Sequence, residues 1–324
     1  MKKDIIKVIV TLPVSDAHRH EIESACKRAQ VDFVAPEGLT PEAVSDAEVI
    51  IGNVPHALLK HAARLRLLQL GSAGADGYPE AMPRGALLAN SSGAYGLAIS
   101  EHMLGQLLMI KKKLWLYYDN QRRSEWHDEG GVTGIEGSFV LSVGMGDIGG
   151  DFLKKCKALG AYTVGIRRTP REKPDYADEM HTLDELDELL PKADVVALSL
   201  PGSEASRHLM DECRLRLMKR GAVLINVGRG SAVVTDALVR VCGEGHIYAA
   251  LDVTDPEPLP REHPLWNTPN VFITPHISGF FHLPQTLDRI VSISAGNLSR
   301  YAEGGPIMNL VDSSTGYRRA EDRV

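Results

Sequence analysis

The fold of this chain is decided by residues 139–171, FVLSVGMGDIGGDFLKKCKALGAYTVGIRRTPR. The apolar run 139–143 has the length of a buried strand, and it stops at the glycine-rich segment 144–149. Apolar residues then recur at helical spacing as far as Gly160, and a second strand-like run follows at 162–166. Strand, glycine loop, helix and strand in this order predict the first unit of a dinucleotide-binding domain.

Each glycine of this loop has its own physical task. Gly144 makes the tight turn, Gly146 lets a pyrophosphate approach the backbone, and Gly149 lets the helix pack closely against the strand. The phosphates are then expected at the helix N-terminus, where free N–H groups and the helix dipole favour an anion. Glycine spacing alone is weak support, and a chance glycine turn is the alternative, but the flanking strand and helix favour the dinucleotide site.

Length, charge and cysteine usage narrow the class of protein. The 324 residues suffice for about two domains, and a net charge of −6 gives no general reason to expect nucleic acid or an anionic membrane as a partner. No apolar run approaches the roughly 20 residues that span a bilayer, and a strand fits the N-terminal residues better than a signal peptide. Because the four cysteines are scattered, we expect reduced thiols, a cytoplasmic protein and no metal site.

Short strands alternate with helices along the chain, which predicts an α/β protein with parallel sheets. The elements up to about residue 90 are expected to form a small α/β domain of their own, in which Thr40 is the expected N-cap of a helix beginning at Pro41. A long apolar helix at 98–118 is expected to lead into the second domain. A helix from 283 to about 303 is long enough to lead back to the first.

Three polar segments follow strands of the second domain, with the sequences NVGRG (226–230), DVTDPEP (252–258) and TPHISG (274–279). Ligands of a doubly wound sheet bind beyond the carboxyl ends of its strands, so Arg229, Glu257 and His276 should converge on the cofactor edge. Singly, each could be an ordinary loop residue, but together at corresponding strand ends they favour a site. Arginine pairs two-pronged with a carboxylate, histidine exchanges a proton with an alkoxide, and glutamate orients the imidazole. This set predicts hydride transfer beside a carboxylate.

The chain resembles the D-isomer-specific 2-hydroxyacid dehydrogenases, the family of glyoxylate/hydroxypyruvate reductases, phosphoglycerate dehydrogenases and D-lactate dehydrogenases. The resemblance covers nearly the whole chain and includes GMGDIG, ADVVALSLPGSEASRHLM, LMKRGAVLINVGRGSAVV, ALDVTDPEPLPREHPLW and NVFITPHISG. It implies that Arg229, Glu257 and His276 are catalytic. It also implies two Rossmann-like doubly wound domains with an interdomain active-site cleft, and a homodimer. The substrate domain would comprise residues 1–98 and 287–324, and the dinucleotide-binding domain residues 99–286.

The resemblance further implies the binding residues. Asp252 matches the position that holds the nicotinamide amide, and the loop 71–76, GSAGAD, resembles the loop whose backbone N–H groups take the substrate carboxylate. The substrate-binding residues are then Ser72, Ala73, Gly74, Arg229 and His276. The cofactor-binding residues are Gly144, Met145, Gly146, Asp147, Ile148, Gly149, Arg167, Arg168, Pro201, Asn226, Val227, Gly228, Asp252 and Gly279. Thr254 departs from the family, which usually has an aromatic residue there.

The choice of cofactor depends on the end of the second strand. An acid that binds the adenosine ribose is expected about 20 residues past the glycine loop. This chain instead has Arg167, Arg168 and Arg171, with no acid between Gly165 and Arg171. An arginine pair suits a 2′-phosphate, which favours NADP(H) over NAD(H), whereas a solvated basic turn is the alternative.

These observations predict an NADPH-preferring oxidoreductase that reduces a small 2-oxoacid to a D-2-hydroxyacid, similar to glyoxylate/hydroxypyruvate reductases. An NAD-dependent phosphoglycerate-type dehydrogenase, or one for branched or aromatic D-2-hydroxyacids, is the alternative within the enzyme class. The absence of arginine from the 52–54 loop argues weakly against a phosphorylated substrate. An NAD(H)-sensing binding protein, similar to corepressors that keep the same triad, is the alternative from another class.

Overall fold

The computed structural model describes residues 5–169 and 172–312 of the chain, so Arg171 lies outside the described residues. The chain divides into two compact units, with boundaries after Tyr95 and after Phe280. Both chain ends belong to the first unit and the segment between the boundaries forms the second. The sequence predicts boundaries after residues 98 and 286.

The first unit contains a five-stranded parallel sheet with the order β2-β1-β3-β4-β5. Its elements are β1 (Ile6–Val10), α1 (Asp16–Ala25), β2 (Ala29–Phe33), α2 (Pro41–Asp46), β3 (Val49–Ile51), α3 (His56–Leu59), β4 (Leu67–Gln69), α4 (Tyr78–Ala81) and β5 (Leu87–Ala89). The hydroxyl of Thr40 accepts from the N–H of Ala43, which confirms the predicted start of α2 at Pro41. This strand order is one of the doubly wound orders.

The second unit contains a seven-stranded parallel sheet with the order β12-β11-β10-β9-β6-β7-β8. Its elements are α5 (Gly96–Lys111), α6 (Leu114–Arg122), β6 (Phe139–Val143), α7 (Asp147–Ala158), β7 (Tyr162–Ile166), β8 (Glu179–His181), α8 (Leu186–Leu189), β9 (Val195–Leu198), α9 (Glu212–Leu217), β10 (Val223–Asn226), α10 (Thr235–Gly243), β11 (Tyr248–Leu251) and β12 (Val271–Ile273). The strand order reverses between β6 and β9, and this switch point is where a doubly wound sheet binds its ligand. The predicted fold, with two doubly wound parallel sheets, is confirmed.

The last helix, α11 (Pro284–Glu303), belongs to the first unit and packs against α1. The imidazole of His18 lies 2.9 Å from the Asp288 carboxylate, and Ser292 donates to Glu21 at 2.8 Å. The prediction that a helix near 283–303 leads back to the first domain is therefore confirmed.

The strands at the centre of the second sheet are fully buried, because helices cover both faces. Every residue of β9 and β10 is buried. Helix α7 buries Phe152, Leu153 and Cys156 on one side. Phe152 is 0% exposed, a burial that stabilises the unit by roughly 3 kcal/mol.

One predicted helix is wrong in detail. The helix predicted at 98–118 is two helices, because Lys113 adopts a left-handed conformation (φ 55°) between α5 and α6, and its ammonium donates to the Glu129 carbonyl. Helix α8 is short and follows a 3₁₀ turn, Leu183–Glu185. Strand β8, which is half-buried at the edge of the sheet, has no counterpart among the predicted elements.

Candidate active site

The glycine loop joins β6 to α7 at the switch point of the second sheet. Gly144 has φ +104°, and a Cβ there would lie 2.9 Å from the carbonyl oxygen of Ser199. At Gly149 a Cβ would lie only 2.0 Å from the Gly144 oxygen, whereas at Gly146 it would meet no atom within 4 Å. Side chains are thus excluded at the turn and at the helix–strand contact. The space beside Gly146 is open at the N-terminus of α7.

Two serine hydroxyls that no sequence motif indicates fix this loop. Ser142 and Ser199 donate to the Gly144 carbonyl at 2.9 and 3.1 Å. Of the residues predicted beside the glycines, Asp147 accepts from the N–H of Gly96 at 2.7 Å, and thereby caps the start of α5. Met145 is buried and Ile148 is half-buried.

The two arginines after β7 have different surroundings. Arg167 is half-buried, and its Nη2 donates to the Met145 carbonyl at 3.0 Å, so its guanidinium supports the glycine loop from the neighbouring strand. Its Nε is buried and has no hydrogen-bond partner in the described part of the chain. Arg168 is exposed. The structure therefore distinguishes two residues that the sequence treats as one pair.

The predicted catalytic residues follow three neighbouring strands, β10, β11 and β12. The Nδ1 atom of His276 lies 2.5 Å from Oε1 of Glu257. A carboxylate only accepts, so the proton between them belongs to Nδ1, and Nε2 is left to exchange a proton with a ligand. The side chains of His276 and Glu257 are 46% and 40% exposed, so solvent reaches the pair. His276 itself has a left-handed backbone, with φ 54°.

Arg229 lies at the end of β10 on a main chain held by Asn226. The Asn226 amide donates to the Arg229 carbonyl at 2.9 Å and accepts from the Gly228 N–H at 3.1 Å. A Cβ at Gly228 would lie 2.4 Å from the Leu200 oxygen, so this loop packs tightly against the end of β9. The Arg229 guanidinium donates to the Gly228 carbonyl at 2.7 Å. The structure brings Glu257 and His276 into contact and places Arg229 after the adjacent strand.

Asp252 is 1% exposed and holds the loop that contains His276. One carboxylate oxygen accepts from the Thr274 hydroxyl at 2.6 Å and the Ile277 N–H at 3.0 Å; the other accepts from the Ser278 N–H at 3.0 Å and its hydroxyl at 2.5 Å. The Asp252 carbonyl accepts from the His276 N–H at 2.8 Å. The other predicted residues of this edge, Pro201, Val227 and Gly279, are at least half-buried.

In the first unit, the loop 71–74 has every carbonyl occupied. The Gly71 oxygen accepts from the Tyr95 hydroxyl at 2.5 Å, and the Ser72 oxygen accepts from the Ser91 N–H at 3.0 Å. The Ala73 oxygen accepts from the Asn90 amide at 2.7 Å, and the Gly74 oxygen accepts from the Ser72 hydroxyl at 2.7 Å. Burial raises the pKa of the Tyr95 hydroxyl, which keeps it a donor. Among the described residues, the N–H groups of Ala73 and Gly74 have no hydrogen-bond acceptor.

Two other N–H groups of this loop already have a partner within the first unit. The Ser72 N–H already donates to Oδ1 of Asn53 at 3.2 Å, as does the Gly71 N–H at 3.0 Å. Asn53 lies 19 residues away, so no local pattern links it to the loop. The N–H groups of Ala73 and Gly74 could bind an anion without breaking a hydrogen bond of the described residues, whereas that of Ser72 would first have to leave Asn53.

Across residues 5–169 and 172–312, no helix is long and apolar enough to cross a membrane. In the same ranges, no group of three or more His, Cys, Asp and Glu side chains could hold a metal ion.

Comparisons with known proteins identify the class. The family model described as "D-isomer specific 2-hydroxyacid dehydrogenase, NAD binding domain" matches residues 104–278. A glyoxylate reductase of Thermofilum pendens is 33% identical over 267 residues, which cover 79% of this chain and 77% of the relative. A D-isomer specific 2-hydroxyacid dehydrogenase family protein from Aeromonas salmonicida superposes with a TM-score of 0.85 at 28% identity, covering 95% of this chain and 99% of the other.

A second solved structure has a nicotinamide cofactor bound. The D-isomer specific 2-hydroxyacid dehydrogenase from Xanthobacter autotrophicus, in complex with NADPH and MES, superposes with a TM-score of 0.81 at 26% identity. The alignment covers 97% of this chain and 100% of that protein. The chain belongs to the D-isomer specific 2-hydroxyacid dehydrogenase family. It is an NAD(P)-dependent oxidoreductase that acts on a CH–OH group.

Proposed function

We propose that this protein reduces a small, unphosphorylated 2-oxoacid to its D-2-hydroxyacid and prefers NADPH to NADH. The observation that supports this most directly is the His276–Glu257 pair, at 2.5 Å, which follows β12 and β11, with Arg229 after β10, the next strand of the sheet. A fixed imidazole whose Nε2 is left for a ligand, beside an arginine, suits a substrate that has a carboxylate next to a carbonyl. The similarity to a glyoxylate reductase supports the same substrate class.

Each catalytic residue has one task. Glu257 fixes the imidazole through Nδ1, and Nε2 of His276 donates a proton to the carbonyl oxygen as it becomes an alkoxide. Arg229 pairs with the carboxylate and polarises the neighbouring carbonyl. The nicotinamide, when bound, supplies the hydride. In the reverse direction the same Nε2 removes the proton from the hydroxyl.

The residues of the glycine loop fit a dinucleotide. The open space beside Gly146 leaves room for the pyrophosphate against the backbone at the start of α7, where free N–H groups and the helix dipole favour it. We propose that the main chain at Met145, Asp147 and Ile148 binds these phosphates. The segments that contain Pro201, Asn226–Gly228, Asp252 and Gly279 would then enclose the nicotinamide half. In the first unit, Ala73 and Gly74 are the proposed donors to the substrate carboxylate.

The preference for NADPH rests on Arg167 and Arg168. No acid lies at this strand end to accept from a ribose diol, and an arginine suits a 2′-phosphate. The NADPH complex of the similar dehydrogenase supports this choice. Because Arg167 also supports Met145, Arg167→Ala should weaken both cofactors, whereas Arg168→Ala should weaken NADPH alone. Equal loss of NADPH and NADH affinity in Arg168→Ala would contradict the assignment.

We also propose a cytoplasmic homodimer. Leu114, Tyr118, Trp126 and Val132 are large apolar residues within 112–134 with exposed fractions of 52%, 59%, 106% and 49%. We propose that these side chains pack against a second copy of the chain, since an exposed apolar patch is typical of an interface. Four free cysteines suit a reducing compartment. Light scattering during gel filtration measures the mass, and a monomer would contradict the dimer.

A panel of 2-oxoacids tests the function. Initial rates are measured from the absorbance of NADPH or NADH with glyoxylate, hydroxypyruvate, pyruvate, phosphohydroxypyruvate and a branched and an aromatic 2-oxoacid. We expect turnover of a small unphosphorylated acid, a higher kcat/KM with NADPH, and the D enantiomer wherever the product is chiral. No turnover of any acid would refute the proposal and favour a binding protein. A preference for NADH would refute only the choice of cofactor.

A further inference from the structure

The position of His276 depends on a single buried carboxylate. The loop 274–278 is bound to Asp252 at four of its residues, through two hydroxyls and three N–H groups. The left-handed backbone of His276 is unfavourable for a residue with a side chain, so it persists only where its surroundings fix it. The orientation of the proton donor therefore depends on how firmly Asp252 and Thr274 are held.

The hydroxyl of Thr274 links Asp252 to helix α5. Its hydroxyl has one proton, which points to Asp252, because an ionised carboxylate only accepts. The lone pairs of the same oxygen face two donors from helix α5, Nε2 of His102 at 3.1 Å and Nε2 of Gln106 at 3.4 Å. Since the hydroxyl proton is already used, His102 must present an N–H at Nε2. The same nitrogen lies 3.9 Å from Oδ1 of Asp252.

We propose that His102 is a positioning residue for catalysis. From α5 it fixes the Thr274 hydroxyl, which holds Asp252, and this chain of hydrogen bonds orients the loop that directs Nε2 of His276. The proposal rests on the proposed function, because its first measurement is the rate of 2-oxoacid reduction. His102 does not touch the reacting atoms; it acts through His276.

The test replaces the donor and then restores it. His102→Phe retains a ring and removes the N–H, so kcat should fall about 10- to 100-fold, the range expected when a reacting group is misplaced by about an ångström. NADPH affinity should stay unchanged. His102→Gln can place an amide N–H at the same distance and should restore most of kcat. The proposal would be overturned if kcat fell equally in His102→Phe and His102→Gln, or if His102→Phe kept the kcat of the wild type.

Two controls separate positioning from general stability. His246 is a half-buried histidine whose Nε2 bonds to the Met218 carbonyl at 2.9 Å, away from this loop; His246→Phe should lower the unfolding temperature but keep kcat. In a His276→Ala background, His102→Phe should cause no further loss of rate, and an additional full loss would overturn the proposal. If His102→Phe does not fold, Thr274→Val with Thr274→Ser as its rescue tests the same link.

A measurement without substrate distinguishes failure of the proposal from failure of the proposed function. If the wild-type protein reduces none of the 2-oxoacids, the proposed function fails, but the proton between His276 and Glu257 still gives a downfield NMR resonance. That resonance should shift or broaden in His102→Phe and return in His102→Gln. An unchanged resonance in His102→Phe would overturn the positioning role.

Discussion

Replacing Gly149 with alanine should destabilise the second unit, whereas the same change at Gly146 should spare stability and weaken cofactor binding. The methyl group at position 149 would lie 2.0 Å from the Gly144 oxygen, 2.5 Å from Oγ of Ser199 and 2.7 Å from Oγ of Ser142. Carbon–oxygen contacts ordinarily begin near about 3.3 Å. The nearest atom belongs to the backbone, so the turn itself must move.

The magnitude follows from these contacts. Overpacking costs about 1–3 kcal/mol, and displacing Gly144 also weakens its two serine hydrogen bonds, each contributing about 1 kcal/mol. The higher helix propensity of alanine offsets about 1 kcal/mol of this destabilisation. A net loss of about 3 kcal/mol corresponds to an unfolding temperature lower by about 6–12 °C for a unit of this size.

Gly146 is the matched control. It is the N-cap of α7 with φ −80°, which alanine adopts, and its surroundings are open. Gly146→Ala should therefore cost less than about 1 kcal/mol of stability. Its methyl group would occupy the approach of the pyrophosphate and should weaken NADPH binding by about tenfold or more. Differential scanning fluorimetry and NADPH fluorescence titration measure both effects. If Gly149→Ala melts like the wild type, or Gly146→Ala binds NADPH normally, the steric reasoning is refuted.

Further results are expected at sites away from the glycine loop. Burial lowers the pKa of His181, but hydrogen bonds to Glu179 and Glu185 raise it overall. The contribution of His181 to folding stability should be complete below its pKa in the unfolded chain, about 6.5. This contribution should be lost as the pH rises through the higher pKa of the folded protein. His181→Gln should remove this pH dependence from thermal unfolding, and an unchanged profile would contradict it. Asn53→Ala removes the acceptor for the Gly71 and Ser72 N–H groups and should raise KM for the 2-oxoacid about tenfold, with NADPH binding intact. An unchanged KM in steady-state kinetics would contradict the role of this loop.

Local patterns were sufficient for the main elements of the second unit. The run Phe139–Val143, the glycines and the helix after them each have a signature within a few residues, and the strand-end rule groups Arg229, Glu257 and His276. The left-handed break at Lys113 has no such signature, because apolar residues continue on both sides of it. Strand β8 is equally hidden, since Glu-Met-His at a sheet edge lacks apolar alternation.

The supporting contacts of the site could not be predicted because they join distant parts of the chain. His102 and Thr274 are 172 residues apart, and Ser199 reaches the glycine loop from another strand, 55 residues away. Each is a polar side chain that no periodicity distinguishes from an ordinary surface residue. Sequence patterns predict the groups that react, and tertiary packing decides which groups hold them in place.

The central claim is that Nε2 of His276 donates the proton during reduction of a 2-oxoacid. It is tested most directly by comparing wild-type protein with His276→Ala, using the best substrate of the panel and NADPH fluorescence for cofactor binding. Turnover should fall by about 10²- to 10⁴-fold, the usual contribution of a general acid, while NADPH affinity stays that of the wild type. A His276→Ala variant that reduces the 2-oxoacid at the wild-type rate would contradict the claim.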